Sequence, residues 1–92
     1  MRIEWSVDAV SDLQQISEYL EHAGNLQTAN RITRTIYDTV QGLRVMPNRG
    51  RDGRIENTRE LMVPRLPYFV VYRIIGERVL ILNIVHGARR WP

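Results

Sequence analysis

An α+β domain is expected from three features of the chain: two consecutive stretches with helical spacing, an extended apolar block after them, and a short alternating segment before them. The predicted architecture is a short N-terminal strand, an antiparallel two-helix hairpin and then a three-stranded antiparallel sheet, in one domain spanning residues 1–92.

Arg2 to Trp5 alternates, with Ile3 and Trp5 on one side and Arg2 and Glu4 on the other, which predicts a short strand. Ser6 stands where a helix N-cap belongs, with Asp8 in the first turn near the positive helix end. Ala9, Leu13, Ile16, Leu20 and Ala23 then recur at steps of four and three, forming one apolar helix face. Gly24-Asn25 closes that helix, with glycine expected in the left-handed cap conformation.

A second helix is expected from about Leu26 to Met46, with Ala29, Ile32, Ile36, Val40, Leu43 and Met46 as its stripe. Pro47 ends it, because the residue before proline is driven out of helical angles. Gly42 costs about 1 kcal/mol relative to alanine inside a helix, so the last turns are expected to loosen there. With only Gly24-Asn25 between them, the helices must fold back on each other, and their stripes make one apolar surface seeking a sheet.

Residues 47–57, PNRGRDGRIEN, read as loop. Arg49, Arg51 and Arg54 alternate with small residues, so this loop is either a phosphate-approaching segment or a solvated connector. It lacks the lysine and Ser/Thr of a P-loop.

The block from Thr58 to Trp91 supplies the three antiparallel strands. Gly76-Glu77 lies between two apolar runs and reads as a type II′ hairpin turn, with glycine first. Counting back from it, Ile75 faces Arg78, Val71 faces Leu82 and Phe69 faces Ile84. One face then carries Phe69, Val71, Arg73, Leu80, Leu82, Ile84 and His86, and the other carries Tyr68, Val70, Tyr72, Ile74, Val79, Ile81, Asn83 and Val85. Both faces are apolar. The Phe69/Val71/Leu82/Ile84 face is expected under the helices, because Asn83 in the opposite face would be costly to bury unpaired. The remaining face is left for a partner protein, or for the chain's own N-terminal strand, loop and tail. Trp91 either packs back on the sheet or forms an aromatic contact beside Arg89-Arg90, and Arg73 is expected to pair with a helix acid.

Composition narrows the chemistry. The chain has no cysteine and only two histidines, so thiolate and histidine-rich metal sites are excluded and no cofactor is expected. No apolar run approaches the roughly 18 residues of a membrane span, and MRIEWSVDAV lacks the apolar core of a signal peptide, so a cytoplasmic protein without membrane contacts is expected. All thirteen basic residues are arginine, and the net charge is +3. Residues 1–46 hold four arginines against six acids, net −2, whereas residues 47–92 hold nine against four, net +5. Such polarisation suits an acidic partner, whether nucleic acid or protein.

The order of these segments resembles the RelE/ParE superfamily of toxins from bacterial type II toxin–antitoxin modules. The resemblance rests on Asp12-Leu13 followed by Ile16 and Tyr19, on Pro47 followed by Gly50-Arg51, on Thr58-Arg59-Glu60-Leu61, on Tyr68 to Tyr72, and on Val79 to Arg89, VLILNIVHGAR. It covers essentially the whole chain and implies a growth-inhibiting toxin held inactive by a cognate antitoxin. RelE-like members cleave ribosome-bound mRNA, whereas ParE-like members are associated with DNA gyrase inhibition. Phe69 stands where the nucleases often carry a strand arginine, and the chain ends in Trp91-Pro92 in place of their C-terminal tyrosine, so the resemblance is more ParE-like. The expected target- or antitoxin-binding residues are Arg54, Arg59, Tyr68, Tyr72, Arg89, Arg90 and Trp91. A ribosome-dependent endoribonuclease is the alternative, and it would draw its acid, base and phosphate-binding groups from Glu56, Arg59, His86 and Arg89. A non-toxic protein-binding module is the third reading.

Overall fold

The computed structural model describes all 92 residues. The chain runs β1 (Arg2–Trp5), α1 (Val7–Ala23), α2 (Leu26–Gly42), β2 (Arg51–Asp52), β3 (Arg59–Met62), β4 (Tyr68–Ile75) and β5 (Arg78–His86). The strands form one five-stranded sheet in the order β1-β5-β4-β3-β2. The sheet is mixed: β1 lies parallel to β5, and the other pairings are antiparallel. The expected three-strand core is present, extended by β1 at one edge and by the two-residue β2, which forms within the predicted 47–57 loop.

Ser6 caps α1 as expected, and Asn25, read only as part of the stop of the first helix, caps the second. Ser6 Oγ accepts from the Ala9 N–H at 3.0 Å and caps α1, and Asn25 Oδ1 accepts from the Thr28 N–H at 2.8 Å and caps α2. Gly24 closes α1 with its N–H on the Leu20 carbonyl, but at φ −129° it is not left-handed. The second helix ends at Gly42, four residues before the expected Met46, and turns through Leu43–Val45. Leu43 stays in the core while Met46, beyond the helix, is 58% exposed. Gly76 has φ +58° with no positive φ at Glu77, as a II′ turn requires.

The sheet faces differ from the expected assignment. Hairpin pairing begins with Ile75↔Arg78 and runs regularly to Tyr72↔Ile81, but the next pair is Val71↔Asn83. Leu82 is therefore an extra residue in β5, a β-bulge that shifts the pairing to Phe69↔Val85 and moves Ile84 opposite Val70. The bulge brings Ile84 onto the face of Tyr68, Val70, Tyr72, Val79 and Ile81, and it is this face that meets Ala9, Ile36, Val40 and Leu43 in the main core. The face expected under the helices, centred on Phe69 and Val71, instead joins Val85 in a smaller cluster, with Leu82 and Trp91 against it.

Asn83 does not exclude that face from the helices, because it is paired. Its Nδ2 donates to Asp12 Oδ2 at 3.1 Å, and the same oxygen accepts the Ile84 N–H at 3.0 Å. The Ser6 hydroxyl donates to the Leu82 carbonyl at 2.9 Å. Two polar groups at the start of α1 thus satisfy β5 around its bulge, beyond the point where β1 stops pairing.

Candidate functional site

The expected site residues fall into three places. Two of them, Tyr72 and Arg59, hold the 47–50 loop from within. Tyr72 is fully buried, and its hydroxyl donates to the Pro47 carbonyl at 2.7 Å while accepting the Gly50 N–H at 2.8 Å. Both hydrogen-bonding roles of the hydroxyl are occupied, so Tyr72 offers no surface to a partner. Burial raises its pKa above the ordinary tyrosine value of 10.0, against the opposing effects of the Gly50 hydrogen bond and the Arg59 charge. Arg59 pairs directly across from Tyr72 and donates to the Gly50 carbonyl at 2.8 Å and to the Asn48 carbonyl at 3.3 Å.

A second set lies on the sheet face away from the helices. Glu60, 3% exposed, accepts the Arg54 N–H at 2.9 Å, with the Arg51 and Arg54 guanidinium groups 3.4 and 3.6 Å from its Oε1. Glu60 pairs with Arg51 and Arg54 and not with its neighbour Arg59, because adjacent strand residues point to opposite faces. Arg54 is thereby held over the Phe69 ring at 5.2 Å and reaches the Trp91 carbonyl at 3.5 Å. Trp91 packs on the Phe69/Val71/Val85 cluster, and Arg89 stands 5.9 Å from its ring. Much of the sheet face that the helices leave open is therefore covered by the chain's own tail and loop. Trp91 Nε1 is buried without a hydrogen-bond partner. Arg73 pairs with no helix acid, its Nε donating instead to the Asn57 carbonyl at 3.4 Å. Arg90 is exposed.

The third place is a groove of about 330 Å³ between α1 and the adjoining ends of β4 and β5. Asp12, Gln15, Ile16 and Tyr19 line its helix side at steps of three, one and three, and Tyr68, Ile84, His86 and Arg89 line the other. The His86 ring meets Tyr68 edge-on with centroids 5.2 Å apart, and its Nδ1 accepts the Ala88 N–H at 3.0 Å. Burial, and secondarily the nearby Tyr19, raise the Tyr68 pKa above the usual 10.0. Glu56 is not here. It lines a separate recess with Arg59 and Arg73. Arg59 pairs with Tyr72 and His86 with Tyr68, so the two lie four residues apart along β4, roughly 13 Å. Tyr19 and Asp12 entered the sequence reading only through the family-like segment. A tyrosine at helical spacing from Asp12 and Ile16 was the signal for a lined groove.

The fold is shared with proteins of known structure. A chain of the chromosomal ParDE TA system from P. aeruginosa superposes with a TM-score of 0.87 at 24% identity, covering 94% of this chain and 95% of that one. The YoeB/ParE toxin from Agrobacterium tumefaciens gives a TM-score of 0.63 at 16% identity, covering 94% and 98%. In sequence, the protein Y4kP of Sinorhizobium fredii (strain NBRC 101917 / NGR234), described as a candidate toxin, is 37% identical over 91 residues, 99% of this chain and 93% of that protein. Residues 3–91 match the family of the ParE toxin of type II toxin-antitoxin system, parDE. The chain belongs to this ParE toxin family.

Proposed function

We propose that this chain is the toxin of a bacterial type II toxin–antitoxin pair that acts by binding a cytoplasmic protein target, DNA gyrase, and is neutralised by a cognate antitoxin. The observation that carries the choice of binding over RNA cleavage is the separation of the acid–base candidates. Cleavage by an RNA 2′-hydroxyl needs a base, an acid and cations around one phosphate. Glu56 and Arg59 share one recess, whereas His86 and Arg89 share the groove at the other end of β4. Arg59 is also committed to two loop carbonyls. Phe69, at the position of the nuclease arginine, is 2% exposed beneath Arg54.

Expression of the chain without an antitoxin is expected to arrest growth and induce the DNA-damage response with mRNA intact. Rapid ribosome-associated mRNA cleavage, abolished by His86→Ala or Glu56→Ala, would reverse the assignment in favour of an endoribonuclease. Normal growth at confirmed soluble expression would leave only a non-toxic binding module.

A further inference from the structure

The groove between α1 and the ends of β4 and β5 has a chemistry that the family assignment does not specify. Three of its lining groups, Tyr68, His86 and Arg89, remain free to donate to a ligand. The Tyr68 hydroxyl makes no hydrogen bond within the protein, and it is absent from the fully buried unpaired atoms, so it opens to the surface. Because His86 Nδ1 accepts from the Ala88 N–H, the ring hydrogen resides on Nε2, which is left as a donor. Arg89 forms no ion pair, its guanidinium resting near the Trp91 ring. Ile16 and Ile84 give the groove an apolar component, and Tyr19, 68% exposed, stands on its helix side.

We propose that this groove binds a single side-chain carboxylate of the partner protein, with the partner's adjoining aliphatic residue on Ile16 and Ile84. Tyr68, His86 and Arg89 supply the donors. The groove's volume lies near the small end of ligand sites and suits a side chain with its neighbour. One groove residue argues against a polyanion: Asp12 brings a negative charge to the wall, with its Oδ2 turned to Asn83 and the Ile84 N–H. A single carboxylate held by Arg89 tolerates that charge better than a run of phosphates does. The partner here is the antitoxin, so the proposal rests on the toxin reading.

The test uses the full isotope-labelled chain, made by cell-free synthesis, with two peptides as probes: Ac-Leu-Glu-Leu-NH2 and Ac-Leu-Gln-Leu-NH2. Amide signals around Tyr19, Tyr68, His86 and Arg89 are expected to move, and the glutamate peptide to bind roughly tenfold more tightly than its glutamine counterpart. Arg89→Gln, at an exposed position, and Tyr68→Phe, which keeps the ring, are each expected to reduce that preference. Equal binding of the two peptides, or shifts centred on the Arg49–Arg54 loop, would overturn the proposal. So would an RNA oligonucleotide that moves the groove signals more strongly than the glutamate peptide at equal concentration. Growth arrest on expression reports on the toxin reading alone, and peptide selectivity on the groove alone.

Discussion

The Tyr72 hydroxyl and the Gly50 backbone form a fitted pair: the Gly50 N–H donates to that hydroxyl at 2.8 Å, and a Cβ added to Gly50 would lie 2.7 Å from the same oxygen. The glycine is required by close approach of a rigid, fully buried ring, so the loop and the β4 side chain specify each other. Gly50→Ala is expected to destabilise the fold by about 1–3 kcal/mol through forced displacement of ring or loop. Gly42, by contrast, has open space around its would-be Cβ and ends α2. Gly42→Ala is expected to stabilise by up to about 1 kcal/mol. Urea unfolding of both variants checks the opposite signs.

Tyr72→Phe removes two hydrogen bonds and leaves the Gly50 N–H and Pro47 carbonyl without their partner. A loss of about 1–3 kcal/mol is expected by the same measurement. The tyrosine also sets an alkaline limit. Its pKa is raised in the fold, so the unfolded chain releases the proton first, and stability falls as pH rises from 10.0 through the raised folded value. Tyr68 acts with the same sign. Stability curves taken above pH 10 should therefore fall less steeply for Tyr72→Phe than for the parent chain.

Glu60→Ala is expected to cost about 1–3 kcal/mol, since it strips the Arg54 N–H of its acceptor and frees two guanidinium groups. Arg51→Ala should cost under about 1 kcal/mol, because that side chain is 62% exposed. Thermal unfolding of the two variants separates a buried acceptor from its solvated partner.

At the tail, Trp91→Phe is expected to stay within about 1 kcal/mol of the parent, because deletion of the uncompensated indole N–H offsets the smaller contact area. Trp91→Ala uncovers the Phe69/Val71/Val85 cluster and should lose about 2 kcal/mol or more. Chemical unfolding distinguishes them, and a comparable loss in both would show that the indole N–H carries no penalty.

Asp12→Ala is expected to lose about 1–3 kcal/mol, because the Ile84 N–H and the Asn83 amide both depend on that carboxylate beside the bulge. Hydrogen exchange should accelerate first at Ile84.

Local signals in the chain determined β1, the Ser6 N-cap, the Gly76 turn and the ordered series of segments from which the toxin family was legible. These depend on a few neighbouring residues: the Ser6 cap is completed by Ala9, and the turn needs only a glycine able to take positive φ. Tertiary structure decided which sheet face meets the helices. Alternation is ambiguous when both faces are apolar, and one extra residue at Leu82 reverses the parity of everything after it. It also decided the site, for the same reason. That Glu60 meets Arg51 and Arg54, and that His86 meets Tyr68 and not Glu56, depends on how residues distant in sequence are brought together, which spacing along one strand does not encode.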